Sequence, residues 1–214
     1  MTINSEDLLN SILDSLDRIE YIDPDDIPNI DLYMDQVTTF VDRRLRSSSR
    51  NPEEDKVLTK TMINNYAKNN LLPPPVKKKY SKEHILLLIF IYYFKGILSI
   101  SDIQTLFRPI TEEFFQNGQE FDLEDVYREI MSVGLEHVQT MKEDVKEKFK
   151  ESERMFADAP EKNKAFLQKF SFICLLSHDV YVKRLMIEKL IDELAKENAA
   201  STNNSKDKNE KDKK

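Results

Sequence analysis

The sequence predicts an all-α protein, and three observations lead to this prediction. It contains only three glycines and no tryptophan, which disfavours a turn-rich sandwich or barrel. Serine, threonine or aspartate stands directly before several apolar runs, in the position of a helix N-cap. Apolar residues within those runs recur at three- and four-residue steps, the spacing of one helix face. A content of 33% charged and 40% hydrophobic residues is typical of a globular chain.

Residues 1–27 predict an acidic amphipathic N-terminal helix. After a Ser5 cap, apolar residues follow at helical spacing: Leu8, Leu9, Ile12, Leu13, Leu16 and Ile19. Pro24 and Pro28 then interrupt the chain. Because residues 1–35 hold ten acidic residues and one arginine, we expect a helix that packs on the core and exposes an acidic face. The alternative is that this segment lies near a basic surface and screens it from nucleic acid.

The second helix is predicted over residues 31–45, from the apolar positions Leu32, Val37, Phe40, Val41 and Leu45. Arginines surround its end, where they suit the negative pole of a helix: Arg43, Arg44, Arg46 and Arg50. They extend positive charge into the loop that follows. A short third helix is predicted to begin after its N-cap Thr59 and to end near residues 69–70, because the prolines at 73–75 cannot continue it.

Predicted N-cap residues mark the start of two further helices. Ser81 is the predicted N-cap of a helix whose residues 85–94 are apolar on every side, so we expect this helix to be buried. Ser99 and Asp102 form a predicted capping box that opens the next helix.

Positive charge is concentrated between these helices. Residues 56–82 contain no acidic residue and seven lysines: Lys56, Lys60, Lys68, Lys77, Lys78, Lys79 and Lys82. The whole chain has a net charge of −7, so this window is a local exception. Three of the lysines follow the prolines, where a loop or β-turn would expose them. Such a cluster is typical of contact with a phosphate backbone, although an ordinary solvated surface is the alternative.

Four blocks of this stretch resemble the MerR-type winged helix-turn-helix domain: TMINNY at 61–66, LLP at 71–73, KYS at 79–81 and LSISDI at 98–103. The MerR pattern is a recognition helix ending in IR-Y, a GLL-P turn, a basic wing closing on R-Y and a G-S-L-E-I helix. The same blocks also resemble an uncharacterised bacterial family with a domain of unknown function. The first resemblance implies a winged helix-turn-helix domain over residues 28–110, with a minor β wing.

The MerR resemblance also implies that double-stranded DNA is the partner. The helix over 60–69 would enter a major groove, where Thr61, Asn64 and Asn65 face base edges; an asparagine can pair bidentately with adenine. The lysines would contact phosphates and set position without reading sequence. The implied DNA-binding residues are Lys60, Thr61, Asn64, Asn65, Lys68, Lys77, Lys78 and Lys79.

Some features depart from the MerR pattern. Asn64 stands where that family has arginine, and Asn70 stands where it has glycine. The polar stretch 46–57 also replaces a short turn between the two helices of the motif. Together with the acidic net charge, these departures favour an alternative function, a non-enzymatic protein–protein interaction module built on a helix-turn-helix scaffold.

Residues 111–197 predict a C-terminal helical bundle. Asp122 is the predicted cap of a long helix that reaches about residue 150. Its apolar residues lie close to a heptad seam: Leu123, Val126, Ile130, Val133, Val138, Met141 and Val145. The seam suits packing within the chain. It equally suits a homodimer of the kind that MerR-like regulators form, which would make the DNA site palindromic.

A second long apolar pattern follows Pro160 and runs from residue 166 to 194, which predicts the core of the bundle. Residues 198–214 are rich in asparagine, lysine, aspartate and serine and lack a large apolar residue, so the composition predicts a disordered tail.

No catalytic or metal-binding pattern is present, so we predict a protein without enzyme activity, cofactor or metal. Cys174 and His178 would share a helix face, but a site needs three or four ligands, and we expect a buried thiol beside a hydrogen-bonded histidine. A single cysteine allows no disulfide within the chain. No secretory leader or apolar stretch of about 20 residues is visible, so we expect a cytoplasmic protein without membrane contact. The overall prediction is a DNA-binding transcriptional regulator of unknown effector.

Overall fold

The computed structural model describes residues 5–17, 22–49, 51 and 53–211. Its helices are α1 (Ser5–Asp17), α2 (Met34–Leu45), α3 (Lys60–Lys68), α4 (Lys82–Phe94), α5 (Ile100–Glu113), α6 (Leu123–Glu136), α7 (Val138–Arg154) and α8 (Glu161–Lys211). Two short strands, β1 (Leu32–Tyr33) and β2 (Lys79–Tyr80), pair antiparallel. The prediction of an all-α fold with a minor β component is confirmed.

The small sheet shifts the start of α2. Leu32 pairs with Tyr80 and Tyr33 with Lys79, so residues 32–33 are extended. The helix therefore begins at Met34, and the predicted start at residue 31 was wrong. The side-chain oxygen of Gln36 accepts a hydrogen bond from the Tyr33 backbone N–H at 2.8 Å, which closes the first turn.

Helix α4 forms the centre of the hydrophobic core, as its uniformly apolar sequence predicted. Every side chain from His84 to Ile91 is buried. The Phe90 ring makes edge contacts with Phe107 of α5 and Tyr127 of α6, at centroid distances of 6.4 and 5.2 Å. Helices α2 and α6 and strand β2 also pack against α4, so this helix positions the surrounding elements.

The predicted caps of α3, α4 and α5 are confirmed. The Thr59 hydroxyl accepts a hydrogen bond from the Met62 N–H at 3.2 Å at the start of α3. The Ser81 backbone N–H donates to Nδ1 of His84 at 3.0 Å at the start of α4. Ser99 opens α5 with a capping box. Each cap satisfies backbone groups that the first helical turn leaves unpaired.

Helix α3 ends at Lys68, close to the predicted point, and Asn70 explains the stop. Asn70 has a φ of 53°, the left-handed conformation that favours glycine and tolerates asparagine. The N–H of Leu71 donates to the Tyr66 carbonyl at 2.9 Å, and the N–H of Asn70 donates to the Ala67 carbonyl at 3.2 Å. These two bonds form a Schellman motif.

We expect Asn70→Ala to lower the free energy of unfolding by about 1 kcal/mol, because alanine is strained at positive φ. Asn70→Gly should be neutral or stabilising at the same position. Urea denaturation of both variants measures the effect, with Asn65→Ala, which lies inside α3, as control. Equal stability of the alanine and glycine variants would show that this backbone conformation does not matter.

The segment between α1 and β1 is bound to α6. The buried Tyr127 hydroxyl donates to the carbonyl of Ile22 at 3.0 Å. The Arg128 guanidinium contacts Asp23 at 3.0 Å and Asp25 at 3.1 Å. These contacts join positions about a hundred residues apart in the chain, so residues 22–27 pack with the α4 core.

Helix α1 packs against α7, where Asp17 forms an ion pair with the largely buried Lys142. Its apolar side chains are half-buried, which fits the predicted amphipathic helix. Through this contact the acidic helix lies on the C-terminal helices, and the alternative in which it screens the lysine cluster gains no support from the residues described.

The long helix predicted from Asp122 to about residue 150 was wrong, because two helices occupy the range. Asp122 caps the first as predicted, accepting from the Glu124 N–H at 2.8 Å. That helix, α6, ends at Glu136, and α7 begins beyond His137. Gly134 weakens the helix just before the break. The two halves also pack on different elements, α6 on α4 and α7 on α1 and α8.

Helix α8 packs first on α7 and then on α5. Phe172 is buried against Phe149, with ring centroids 5.4 Å apart, and Ile191 joins the main core. The helix continues to Lys211, whereas the composition predicted a disordered tail over 198–214. After Pro160 the sequence contains neither glycine nor proline, so no stop signal interrupts the helix.

Candidate nucleic-acid interface

Helix α3 has one apolar face and one polar face. Ile63 and Tyr66 are three positions apart and both are buried. The outer face carries five of the residues predicted to bind DNA, and all five are exposed: Lys60, Thr61, Asn64, Asn65 and Lys68. Uncharged donors and acceptors therefore lie between two cations. This arrangement can offer amides and a hydroxyl to base edges while the lysines meet phosphates.

A tight hairpin before β2 carries the other three predicted residues. The Lys79 N–H donates to the Val76 carbonyl at 2.9 Å, which closes the turn. Lys77 and Lys78 occupy the two corners, with φ values of 50° and 65°. Positive φ at both corners is the property of a type I′ turn. Both corner side chains are exposed.

Lys79 has a different environment from its two neighbours. It is half-buried, and its Nζ lies 5.3 Å from the centroid of the Tyr33 ring. This cation–π contact joins the hairpin to β1 and partly engages the charge. No pattern in the sequence pointed to Tyr33, because the contact depends on the pairing of two distant strands.

Lys60 is also engaged, by an ion pair with Asp35 of α2. Both side chains are more than half exposed, so a polyanion could compete for the lysine. Among the residues described, no ion pair involves Lys68, Lys77 or Lys78. Of the five lysines in the predicted site, Lys60 and Lys79 are thus engaged within the protein, and the other three are accessible.

Asp35→Asn should release Lys60 and tighten binding to any DNA duplex by about threefold to tenfold at low salt, because one more cation becomes available to phosphate. The slope of log K against log salt should steepen by about 0.9. Fluorescence anisotropy on a labelled duplex measures both quantities. Asp31→Asn, an equal charge change outside this ion pair, is the control, and an identical effect from both variants would contradict a specific role for Asp35.

The arginines around the end of α2 contribute less positive charge than predicted. Arg44 pairs with Asp26 at 3.2 Å, and Arg46 donates to Asp42 at 3.0 Å. Arg43 is exposed, while Arg50 lies outside the described residues. Acidic residues of the same region therefore neutralise part of this basic extension.

An open cleft of about 590 Å³ separates α2 from the start of α3. Hydroxyl and charged side chains line most of it: Thr38, Thr39, Asp42, Arg46, Lys56, Leu58, Thr59, Lys60 and Thr61. In its described residues, the loop between the two helices begins with a 3₁₀ turn over Arg46–Ser48. The cleft leaves the N-terminal end of α3 accessible.

The buried His84 side chain, in the first turn of α4, contacts the residues that connect the prolines at 73–75 to this helix. Its Nδ1 accepts from the Ser81 N–H, and its ring contacts Phe115 at a centroid distance of 4.8 Å. Burial lowers the pKa of His84 below its ordinary value of 6.5, partly offset by the carbonyls of Pro74 and Pro73 and by the charge of Asp31. The imidazole is therefore neutral at pH 7.

The depressed pKa of His84 predicts that the protein loses stability in mild acid. The unfolded chain binds the proton more readily than the folded one, so the free energy of unfolding should fall as the pH drops below about 6.5. His84→Gln keeps an acceptor for the Ser81 N–H but does not titrate. Chemical denaturation between pH 7.5 and 5.5 should give a shallower dependence for this variant; equal slopes would contradict the assignment.

Other chemistry finds little support in the described residues. Cys174 is exposed, so the predicted buried thiol was wrong, and His178 is exposed as well. Across those residues, no group of three or more His, Cys, Asp or Glu side chains is arranged to hold a metal ion. None of the described helices is both long and apolar enough to cross a bilayer.

Comparison with known proteins identifies a family but no characterised relative. Neither a curated protein nor a solved structure matches the chain. Residues 22–130 match the family described as a domain of unknown function, DUF1836. The matched range begins at the residue that Tyr127 binds and ends within α6, so it includes α3, the hairpin and the α4 core. The chain therefore belongs to the DUF1836 family.

Proposed function

We propose that this protein is a cytoplasmic DNA-binding transcriptional regulator with a MerR-like winged helix-turn-helix domain. The observation that carries the proposal is the exposed outer face of α3, where Thr61, Asn64 and Asn65 lie between lysines. The four blocks of the MerR resemblance fall on α3, the turn after it, the strand that closes the basic hairpin and the start of α5, which supports the same reading.

In this proposal α3 enters the major groove and the hairpin contacts the backbone. Asn64 reads a base, with adenine as the pairing that suits an amide. Lys60, Lys68 and the hairpin lysines bind phosphates and fix the orientation of the helix. The turn exposes Lys77 and Lys78 at its two corners, where both side chains can reach phosphates.

A homodimer is part of the proposal. The predicted seam on α6 and α7 leaves Ile130, Val133 and Met141 exposed by 53%, 47% and 51%, which gives a second copy apolar surface to bury. Two copies related by a twofold axis would recognise a palindromic site.

Selection from a randomised duplex library with the purified full-length protein tests this function. We expect enrichment of a palindromic motif whose half-sites contain an adenine that depends on Asn64. Absence of any enriched motif, at a salt concentration where the protein binds the library, would contradict sequence-specific regulation.

The alternative function is a protein-interaction module that uses the same 58–82 surface. The net charge of −7 and the Lys60–Asp35 ion pair favour it, because both weaken attraction to a polyanion. A nuclease-treated pulldown separates the two: a specific protein retained by wild type and lost in Asn64→Asp favours the module, and its absence favours DNA.

A further inference from the structure

Helix α8 carries an apolar stripe that no described residue covers. Five large side chains on it are exposed by more than half: Phe166 (68%), Phe170 (52%), Ile173 (54%), Val180 (58%) and Tyr181 (61%). The rings of Phe166 and Phe170 stack at a centroid distance of 6.1 Å. An apolar surface of this extent on a soluble domain usually marks an interaction site.

The opposite side of the same stretch is already occupied. Ser171 and Phe172 are buried, and Asp179 pairs with Lys148 of α7 at 2.9 Å. The stretch is thus apolar on two opposite sides, with α7 on one of them. Each apolar face of a helix is normally buried against a neighbour, so the free side calls for a partner.

The spacing of the stripe indicates the shape of that partner. Four residues of the stripe, Phe166, Phe170, Ile173 and Val180, are separated by steps of four, three and seven residues, and the polar Ser177 occupies the intervening position of the same four-three register. This alternation is the a/d seam of a two-helix contact, and it is narrower than the apolar face of a helix lying in a membrane surface. The occupant that fits is another helix.

The charge around the stripe indicates the chemistry of that partner. Residues 161–184 contain five lysines or arginines and only two acidic residues. Asp179 is engaged by Lys148 and Arg184 by Glu188, which leaves four cations and one acidic residue. Lys162 and Lys169 precede Phe166 and Ile173 by four positions, which puts each beside the stripe. In a chain of net charge −7, this is a local basic border around an apolar seam.

We propose that this surface, the α8 seam, binds an acidic amphipathic helix of another protein. Apolar side chains of the partner pack between Phe166 and Val180, and its carboxylates meet Lys162 and Lys169. A second copy of this chain fits less well, since two seams brought together would oppose like charges. The proposal goes beyond DNA binding and holds whether or not α3 contacts DNA.

Two synthetic peptides of about 21 residues, or three heptads, test the proposal. Both have leucine at the seam positions; one has glutamate at the flanking positions and the other has lysine there. Titration of full-length protein into each labelled peptide should show at least about tenfold tighter binding of the glutamate peptide at low salt. The preference should shrink as salt is added, because the charges are exposed.

Variants connect the binding to the named residues. Lys162→Glu with Lys169→Glu should reverse the preference and favour the lysine peptide. Ile173→Asp should abolish binding of both peptides while the circular dichroism stays unchanged, because this side chain is exposed. Lys189→Glu, the same charge change beyond the seam on α8, is the control and should leave the preference intact.

Three results would overturn the proposal. Equal affinity for the two peptides would show that the seam does not select an acidic partner. Binding of neither peptide would show that the seam does not bind an amphipathic helix. Sedimentation equilibrium showing a dimer that Ile173→Asp dissociates would assign the seam to a second copy.

Discussion

Replacement of Lys77 by asparagine and Lys78 by glycine is expected to stabilise the hairpin and yet weaken binding to every DNA duplex. Both corners have positive φ, and Asn-Gly is the preferred pair for a type I′ turn. The fold should therefore gain stability as two phosphate contacts are lost. Affinity should fall by about 10- to 100-fold at low salt, and the slope of log K against log salt should decrease by about 1.8.

This double variant is informative because its stability should rise while its affinity for DNA falls. Thermal denaturation should give a melting temperature at or above that of wild type, while anisotropy titrations at several salt concentrations give the affinity and its slope. Lys146→Asn, an exposed cation on α7, is the charge control and should leave both values unchanged. Wild-type affinity and slope in a well-folded double variant would show that the hairpin does not meet DNA.

Asn64→Ala should instead remove sequence preference and leave general affinity largely intact. Asn64 is exposed in the middle of the outer face of α3, and a bidentate amide–adenine pair discriminates by about 1–3 kcal/mol. The ratio of affinities for the selected site and for random duplex should therefore drop by about 5- to 150-fold. Competition titrations with the two duplexes measure this ratio.

Lys68→Ala is the matched comparison for Asn64→Ala. It lies on the same face of α3, but as a phosphate contact it should lower affinity for both duplexes equally and reduce the salt slope by about 0.9. If Asn64→Ala also lowered both affinities equally, Asn64 would be a backbone contact, and another residue would read the base.

Local signals accounted for much of the fold. The caps at Thr59, Ser81 and Ser99 were predictable because each depends on residues within one helical turn. The burial of α4 followed from its composition alone, since a helix without a polar face has no side to turn to water. Asn70 shows the limit: its replacement of a glycine was visible, but the left-handed backbone that makes the two residues equivalent was not.

Long-range contacts accounted for most of what could not be predicted. Seven of the eight candidate residues are exposed and Lys79 is half-buried. The ion pair of Lys60 with Asp35 and the contact of Lys79 with Tyr33 could not be predicted, because they depend on how α2 and β1 pack. The break between α6 and α7 has the same origin, because each half follows a different neighbour. A regular apolar spacing cannot distinguish one long helix from two consecutive ones.

The most direct test of DNA binding through the accessible cations Lys68, Lys77 and Lys78 and the polar face of α3 is its salt dependence. Full-length protein should be titrated against a random-sequence duplex at salt concentrations from about 50 to 200 mM. We predict measurable affinity at the low end and a slope that reflects about three to five phosphate contacts. No binding at low salt, or binding that salt does not weaken, would contradict a nucleic-acid function for this surface.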